Sequence, residues 1–404
     1  MFDQSFRNGI AGWYFEGQEI DTACRNSSIL MLDMEYGIRC MLACSYCFRT
    51  NDDRDRLRDS PCPIRYEDAI NIIDQARDMG AKSIHFVGKG ESLEEPEFLD
   101  IVHHVAKLGM IPLIFTAGHV LGEDKIALNC CGRLGKDIIS DLYDSNASII
   151  LKMNSLDPQI QNEVVKRNTI TYKDGSTCSF NYTKARNIAL ERMIEAGFNS
   201  WQHNPTRLGI ATVMLKSNYH ELFPIYKHFR LLNIYPIINT VVPCGNTKDM
   251  DEVRCISPTK EEKIELWTNI YSFNIENGIK YEGISSYVGG HICSQLGYSM
   301  YVNVFGDVFD CPSSMRDSLG NVKLNGKRLK TLWKDSTCRR IFAYSKDNGC
   351  PWRFHDPAMI PEDLFRIIHE RLRKKFPNDP NVQNFVCPMC YGDISAETLS
   401  NQIT

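Results

Sequence analysis

Three cysteines within eight residues, Cys40, Cys44 and Cys47, constrain this chain more than any other feature. They stand in the run Arg39-Cys40-Met41-Leu42-Ala43-Cys44-Ser45-Tyr46-Cys47-Phe48, just past the apolar segment 29–34. Three thiolates at this spacing can hold three irons of a cubane cluster and leave the fourth iron open to a second molecule. A fully ligated cluster mainly passes electrons, whereas an open iron can bind and reduce something. The blander readings are a zinc site or a set of buried thiols. A lone tetrahedral zinc wants a fourth ligand and usually paired CxxC elements, and neither lies nearby.

Sixteen cysteines among 404 residues is a high count. An extracellular disulfide scaffold would be shorter and would need export, and the start Met1-Phe2-Asp3-Gln4 lacks a basic-apolar signal segment. No apolar stretch approaches a membrane span. The expectation is a cytoplasmic protein whose clustered cysteines bind metal under reducing conditions. A formal net charge of −4 with both signs interspersed argues against nonspecific nucleic-acid binding. The hydrophobic content of 43% suffices for one large domain and a smaller one.

Apolar or β-branched runs recur at 29–34, 84–87, 112–116, 148–153, 208–214 and 236–242. Helical patterns fall at 66–79, 97–108, 137–142, 183–196, 219–231 and 259–273. Such alternation predicts an α/β fold with a largely parallel sheet. Residues 1–28 form an extension in which Trp13, Tyr14 and Phe15 can pack across the main domain, which spans 29–276. Residues 277–404 form a smaller domain, with a loop at Gly289-Gly290, a hairpin over 300–311 turning at Gly306-Asp307, and a short helix at 329–334. The segment 50–63 mixes both signs of charge and reads as an exposed excursion.

Gly88-Lys89-Gly90-Glu91 directly follows the second strand. Glycines there allow close backbone approach or positive φ, and Glu91 places an acceptor at the sheet's C-terminal edge; the alternative is a tight turn with a surface glutamate. Lys152, Asn154 and Ser155 follow the fourth strand at the same edge. Ser155 is also a plausible N-cap for a helix beginning near Asp157.

The CxxxCxxC triplet, with an aromatic immediately before its last cysteine, resembles that of the radical S-adenosylmethionine (radical SAM) enzymes. The resemblance implies a partial (β/α)6 TIM-like barrel with Cys40, Cys44 and Cys47 as ligands of a [4Fe-4S] cluster. S-adenosyl-L-methionine would chelate the open iron and be cleaved to a 5′-deoxyadenosyl radical. Tyr46 lies where the family's adenine-contacting aromatic sits. Gly88, Gly90 and Glu91 are similar to the family's GGE-type motif, in a GxGE form, which binds the methionine ammonium. Asn154 and Ser155 match positions that offer polar groups to the ribose or carboxylate, and 208–213 resembles the strand lining the adenine. Thr116-Ala117-Gly118-His119 compares with a family Thr-Asn-Gly, and Ala117 lacks the amide. His119 is a candidate catalytic residue at the cavity or a structural loop residue.

The smaller domain resembles the family's auxiliary-cluster modules, SPASM and its shortened twitch form. The segments 304–311 and 319–322 carry that likeness, and the full SPASM block CxxCxxxxxCxxxC is absent. This implies a small twitch-like α+β domain with a second [4Fe-4S] cluster on Cys293, Cys311, Cys387 and Cys390. Cys338 or Cys350 can replace one of the four, and zinc remains open as the metal. A fully ligated auxiliary cluster suits transfer of a substrate radical's electron.

The resulting expectation is hydrogen abstraction from an unactivated C–H bond. The resemblance to twitch-bearing relatives, with a Cys293–Cys311 spacing like that of the family's aminocyclitol dehydrogenases, implies oxidoreduction of a small polar substrate such as an aminocyclitol or sugar. The alternative is modification of a ribosomally made peptide, by thioether formation, crosslinking or epimerisation. Twenty-eight residues before the first strand are too few for a leader-binding domain, so a separate protein would supply one. An epimerase needs a hydrogen donor, for which Cys244 after the sixth strand is the candidate. A flavodoxin or ferredoxin would supply electrons, and no period in the sequence identifies an oligomer. A carrier without radical chemistry would fit the cysteines but has no use for the GxGE segment.

Overall fold

The computed structural model describes residues 2, 6–47, 63–88, 90–172, 175–241, 250–281, 294–312, 318–323, 328–336 and 363–385. Cys244, Cys293, Cys338, Cys350, Cys387 and Cys390 lie outside these residues, as do Lys89, Gly289-Gly290 and the segment 50–62.

The strands in chain order are β1 (Met31–Met34), β2 (Ser83–Phe86), β3 (Ile111–Thr116), β4 (Ser148–Lys152), β5 (Thr169–Thr171), β6 (Thr177–Ser179), β7 (Leu208–Met214) and β8 (Tyr235–Thr240). β1, β2, β3, β4, β7 and β8 pair in parallel in that order. These are the six runs expected from the sequence. Near-continuous apolar composition suits them because both faces of the sheet are covered; β7 is buried along its whole length. β5 and β6 form a separate antiparallel ribbon with mostly exposed Thr and Ser side chains. Its alternation is too short and too polar to register as a strand signal.

Helices Tyr66–Asp78, Phe98–Lys107, Gly135–Asp144 and Tyr182–Glu195 cover one face of the sheet, burying Ile73, Val102, Ile138 and Ala189 with Ile84, Ile114 and Ile149 of the strands. The alternate strand residues face the other way. There Leu113, Ile150, Ala211 and Ile237 gather around Ile10, with Trp13 and Phe115 against them. The N-terminal extension therefore packs on the face opposite these helices. The Ala11 amide donates to the Thr206 carbonyl at 2.8 Å, and the Gly12 carbonyl accepts from Ser83 Oγ at 2.6 Å. A helix at Gly17–Asn26 follows, closed at its start by the reciprocal Glu16–Glu19 capping box.

The C-terminal hairpin extends the same sheet. β9 (Ser299–Val302) pairs in parallel with β1, β10 (Asp307–Phe309) returns antiparallel to β9, and β11 (Gly320–Asn321) pairs with β10. The order is β11-β10-β9-β1-β2-β3-β4-β7-β8. Gly306 takes φ +85° in the turn, where the Asn303 side chain accepts from the Phe305 and Asp307 amides, both at 2.9 Å. At the opposite end, helix Leu364–Lys375 packs with helix Lys260–Glu276 on a second apolar cluster that includes Met214 and Ile238. Among the described residues, no helix is long and apolar enough to cross a membrane.

Candidate functional site

The C-terminal ends of β1 to β4 converge on one loop. Cys40, Cys44 and Cys47 all lie on the segment that leaves β1 and are partly buried. The strand–helix turn after β2 holds one side of this loop. The Glu91 amide donates to the Arg39 carbonyl at 2.7 Å, and the Met41 amide donates to Glu94 Oε1 at 2.7 Å. The end of helix Pro158–Val165 holds the other side, its Val165 and Val164 carbonyls accepting from the Ala43 and Ser45 amides at 3.2 and 2.9 Å.

Gly90 is required by this packing. A Cβ there would lie 2.3 Å from the Gly37 carbonyl oxygen, and one on Gly88 would lie 2.5 Å from Glu35 Cγ. Of the two reasons a glycine can be needed, close approach is the one that operates. Glu91 is 3% exposed, so it is no surface glutamate. Its carboxylate accepts from Thr116 Oγ1 at 2.7 Å and from the Ala117 amide at 2.8 Å. Burial pushes its pKa up, against the opposing pull of His119 and these two hydrogen bonds. Ala117, which lacks the amide side chain compared above, contributes its backbone instead.

His119 is fully buried, with Nε2 2.8 Å from Glu94 Oε1. Burial disfavours its charge, but the Glu94 and Glu91 carboxylates outweigh that and raise its pKa. This placement ties His119 to the glutamate that holds the cysteine loop at Met41. Asn154 is equally buried. It donates from Nδ2 to Tyr46 Oη at 2.7 Å and accepts from the Val213 amide at 3.0 Å, tying the cysteine loop to β7. Ser155 Oγ bonds Glu221, while its amide donates to Gln161 Oε1 at 3.0 Å. The cap of helix Pro158–Val165 is Asp157, which accepts from the Gln159 and Ile160 amides, so the N-cap expected at Ser155 falls two residues later.

Of three further side chains important here, the sequence placed only Lys152 at this edge, and none of their partners was readable from it. Glu94 acts on Met41, 53 positions away. Lys152 places Nζ 4.7 Å from the centre of the Tyr46 ring, and burial lowers its pKa to about 8 although Cys44 and Cys47 oppose the shift. Tyr182 donates to the Ala117 carbonyl at 3.0 Å. Each is a long-range partner, which local pattern does not reveal.

The thiols fit a cluster by their chemistry. Burial, then Glu94, pushes the Cys40 thiol well up, with Cys44 adding to the effect; burial and Cys47 push Cys44 to about 11. Soft thiolates select iron–sulfur clusters, copper or zinc, and binding must displace these protons. Among the described residues, no three His, Cys, Asp or Glu side chains already stand in ligating geometry. The loop thus collects the donors at one edge, and closure onto a common centre is left to the bound group. Of the four cysteines expected around the second cluster, only Cys311 is described; it lies partly buried just past β10.

Comparison with known proteins gives a class. No family model matches. A PqqA peptide cyclase of Streptomyces rochei is 35% identical over 80 residues, 20% of this chain and 21% of its own. The tungsten-containing aldehyde ferredoxin oxidoreductase cofactor-modifying protein of Pyrococcus furiosus is 26% identical over 204 residues, 50% of this chain and 48% of its own. The chain thus spans about a fifth and about half of these two relatives. Among solved structures, anSMEcpe with bound AdoMet superposes with a TM-score of 0.55 at 15% identity, covering 89% of this chain and 97% of that one. SuiB of Streptococcus suis, bound to its precursor peptide SuiA, gives 0.52 at 14% identity, over 78% and 68%. These structural neighbours are radical SAM enzymes, and the chain has their fold, a parallel-stranded TIM-like barrel.

Proposed function

We propose that the chain is a radical SAM enzyme that abstracts a C–H hydrogen from its substrate. The observation that carries this reading is that the loop bearing Cys40, Cys44 and Cys47 is hydrogen-bonded through the Arg39 carbonyl to the amide of the buried Glu91 at the end of β2, on that fold. A [4Fe-4S] cluster and S-adenosyl-L-methionine, when bound, supply a 5′-deoxyadenosyl radical. Cys40, Cys44 and Cys47 would ligate the irons. Glu91, preset by Thr116 and Ala117, retains lone pairs for the cofactor's ammonium, and Tyr46 and Lys152 border the same edge. A buried carboxylate held by two donors loses little freedom on binding a cation.

For the substrate, the peptide reading moves ahead of the aminocyclitol or sugar reading. One relative is a peptide cyclase and one structural neighbour is bound to a precursor peptide. A second [4Fe-4S] cluster on Cys293, Cys311, Cys387 and Cys390, Cys244 as hydrogen donor, and a flavodoxin or ferredoxin reductant belong to this proposal. The test is anaerobic reconstitution and reduction with dithionite in the presence of S-adenosylmethionine. 5′-Deoxyadenosine should form, and replacing Cys40, Cys44 and Cys47 together by Ala should abolish it while iron falls from about eight to about four per chain. Continued formation by the triple variant would sink the assignment.

A further inference from the structure

We infer that Glu94, which lies outside the GxGE segment, is the positioning residue of the cysteine loop. Together with Glu91 it suspends Cys40 between two fixed points before any metal arrives. The inference rests on the reading of Cys40 as a ligand and adds what places it.

Cys40 lies between two hydrogen-bonded rungs. On its N-terminal side the Arg39 carbonyl accepts from the Glu91 amide at 2.7 Å; on its C-terminal side the Met41 amide donates to Glu94 Oε1 at 2.7 Å. Both glutamates are 3% exposed. Each continues to the loop after β3: Glu91 through Thr116 Oγ1 and the Ala117 amide, Glu94 through His119 Nε2 at 2.8 Å. Two carboxylates three residues apart, joined by the short helical turn Ser92–Glu94, thus bridge the same pair of loops. The rung at Met41 is a backbone amide donating to a carboxylate, a charge-assisted bond in a water-poor site. It fixes the peptide plane next to the first thiol and withholds that amide from a sulfur acceptor. The Gly37 carbonyl packed against Gly90 closes the same contact, so the loop has little room to swing.

Glu94 therefore acts on the loop's order, and a ligand-independent measurement reads it. Hydrogen–deuterium exchange of the metal-free protein, resolved at Met41, should show a protected amide. Glu94→Ala should speed its exchange by about ten- to hundredfold, the factor carried by a hydrogen bond to a charged acceptor. Exchange at Ser45, held by Val164, should stay slow. Glu94→Gln keeps an acceptor oxygen in place and should restore Met41 protection, and with it iron uptake at limiting iron and the electron paramagnetic resonance signature of the reduced cluster. Circular dichroism identifies a variant that has merely unfolded, and Glu94→Gln then carries the test alone. Wild-type exchange at Met41 in folded Glu94→Ala would overturn the inference, as would failure of Glu94→Gln to rescue. So would normal iron uptake by a Glu94→Ala protein whose loop has loosened. If the wild type binds no iron but its Met41 amide answers to Glu94, the hydrogen-bonded rung stands and the proposed function falls.

Discussion

Replacing His85 by Leu probes a buried polar group on the side of the sheet that meets the N-terminal segment. His85 is 1% exposed, with Nδ1 3.0 Å from Asp33 Oδ1 and Nε2 2.9 Å from the Gly12 carbonyl oxygen. A carbonyl oxygen only accepts, so Nε2 carries a hydrogen. Nδ1 and the Asp33 carboxylate then share a single proton. Gln295 Nε2 donates to Asp33 Oδ2 at 3.0 Å, so the group links the N-terminal segment, two strands and the turn before β9. His85→Leu leaves Asp33 buried with Gln295 as its donor, and removing one partner of such a pair costs about 3–5 kcal/mol. Gly12 keeps its bond from Ser83 Oγ, which places the loss at the lower end. Asp33→Asn retains every partner: the amide donates to a bare Nδ1 and its oxygen accepts from Gln295. Its expected cost is about 1 kcal/mol. Urea titrations at neutral pH, followed by circular dichroism, rank the two variants. Equal losses would refute the reasoning, because charge balance rather than hydrogen-bond completion would then hold the group together.

Three further outcomes are expected. Gly90→Ala should disorder the cysteine loop and depress iron binding, since its Cβ meets the Gly37 carbonyl oxygen at 2.3 Å; iron and sulfide analysis after reconstitution measures this, and full loading would contradict it. Glu91→Ala should leave iron content normal but weaken S-adenosylmethionine binding by about 1.5–3 kcal/mol in a calorimetric titration. Lys152, its pKa lowered to about 8 by burial, should lose its proton near that pH in the metal-free protein, well below an ordinary lysine. Reductive methylation with labelled formaldehyde followed by NMR titration would show one methylated lysine with that midpoint, absent in Lys152→Met.

The barrel was legible in the sequence because its strands are covered on both faces, which leaves apolar runs between amphipathic helices. β7 is read as 208–214 and forms at Leu208–Met214. Short elements escaped. Helix Gly17–Asn26 carries few apolar residues and is defined by its cap, and helix Asp124–Cys131 is only two turns long. The pairing of β9 with β1 was beyond local pattern altogether, since Met31 and Ser299 meet only through the tertiary fold. At the site, residue types pointed to the cysteine loop and to Glu91, whose chemistry is carried in the motif itself. Glu94 went unread, and the partners of Asn154 stayed hidden, for the same reason as β9. A buried polar side chain takes its meaning from its partner, and the partners lie 53 and 108 positions away.

That distinction bears on how the GxGE segment works in this chain. Neither glycine needs a cofactor to explain it: Gly90 answers to the Gly37 carbonyl and Gly88 to the Glu35 side chain. Glu35 is 1% exposed and is itself engaged, accepting from the Tyr301 hydroxyl and from the Val304 amide at 2.9 Å. The turn after β2, the start of the cysteine loop and the C-terminal hairpin are thus wedged together at one carboxylate. The sheet enforces the same register, because β9 pairs in parallel with β1. A residue larger than glycine at position 88 would push on Glu35 and through it on the hairpin that leads to Cys311. Of the motif's described residues, only Glu91 brings a side chain that a cofactor ammonium can use. The glycines serve by letting three segments come close enough to hold that carboxylate and the first thiol at the same edge.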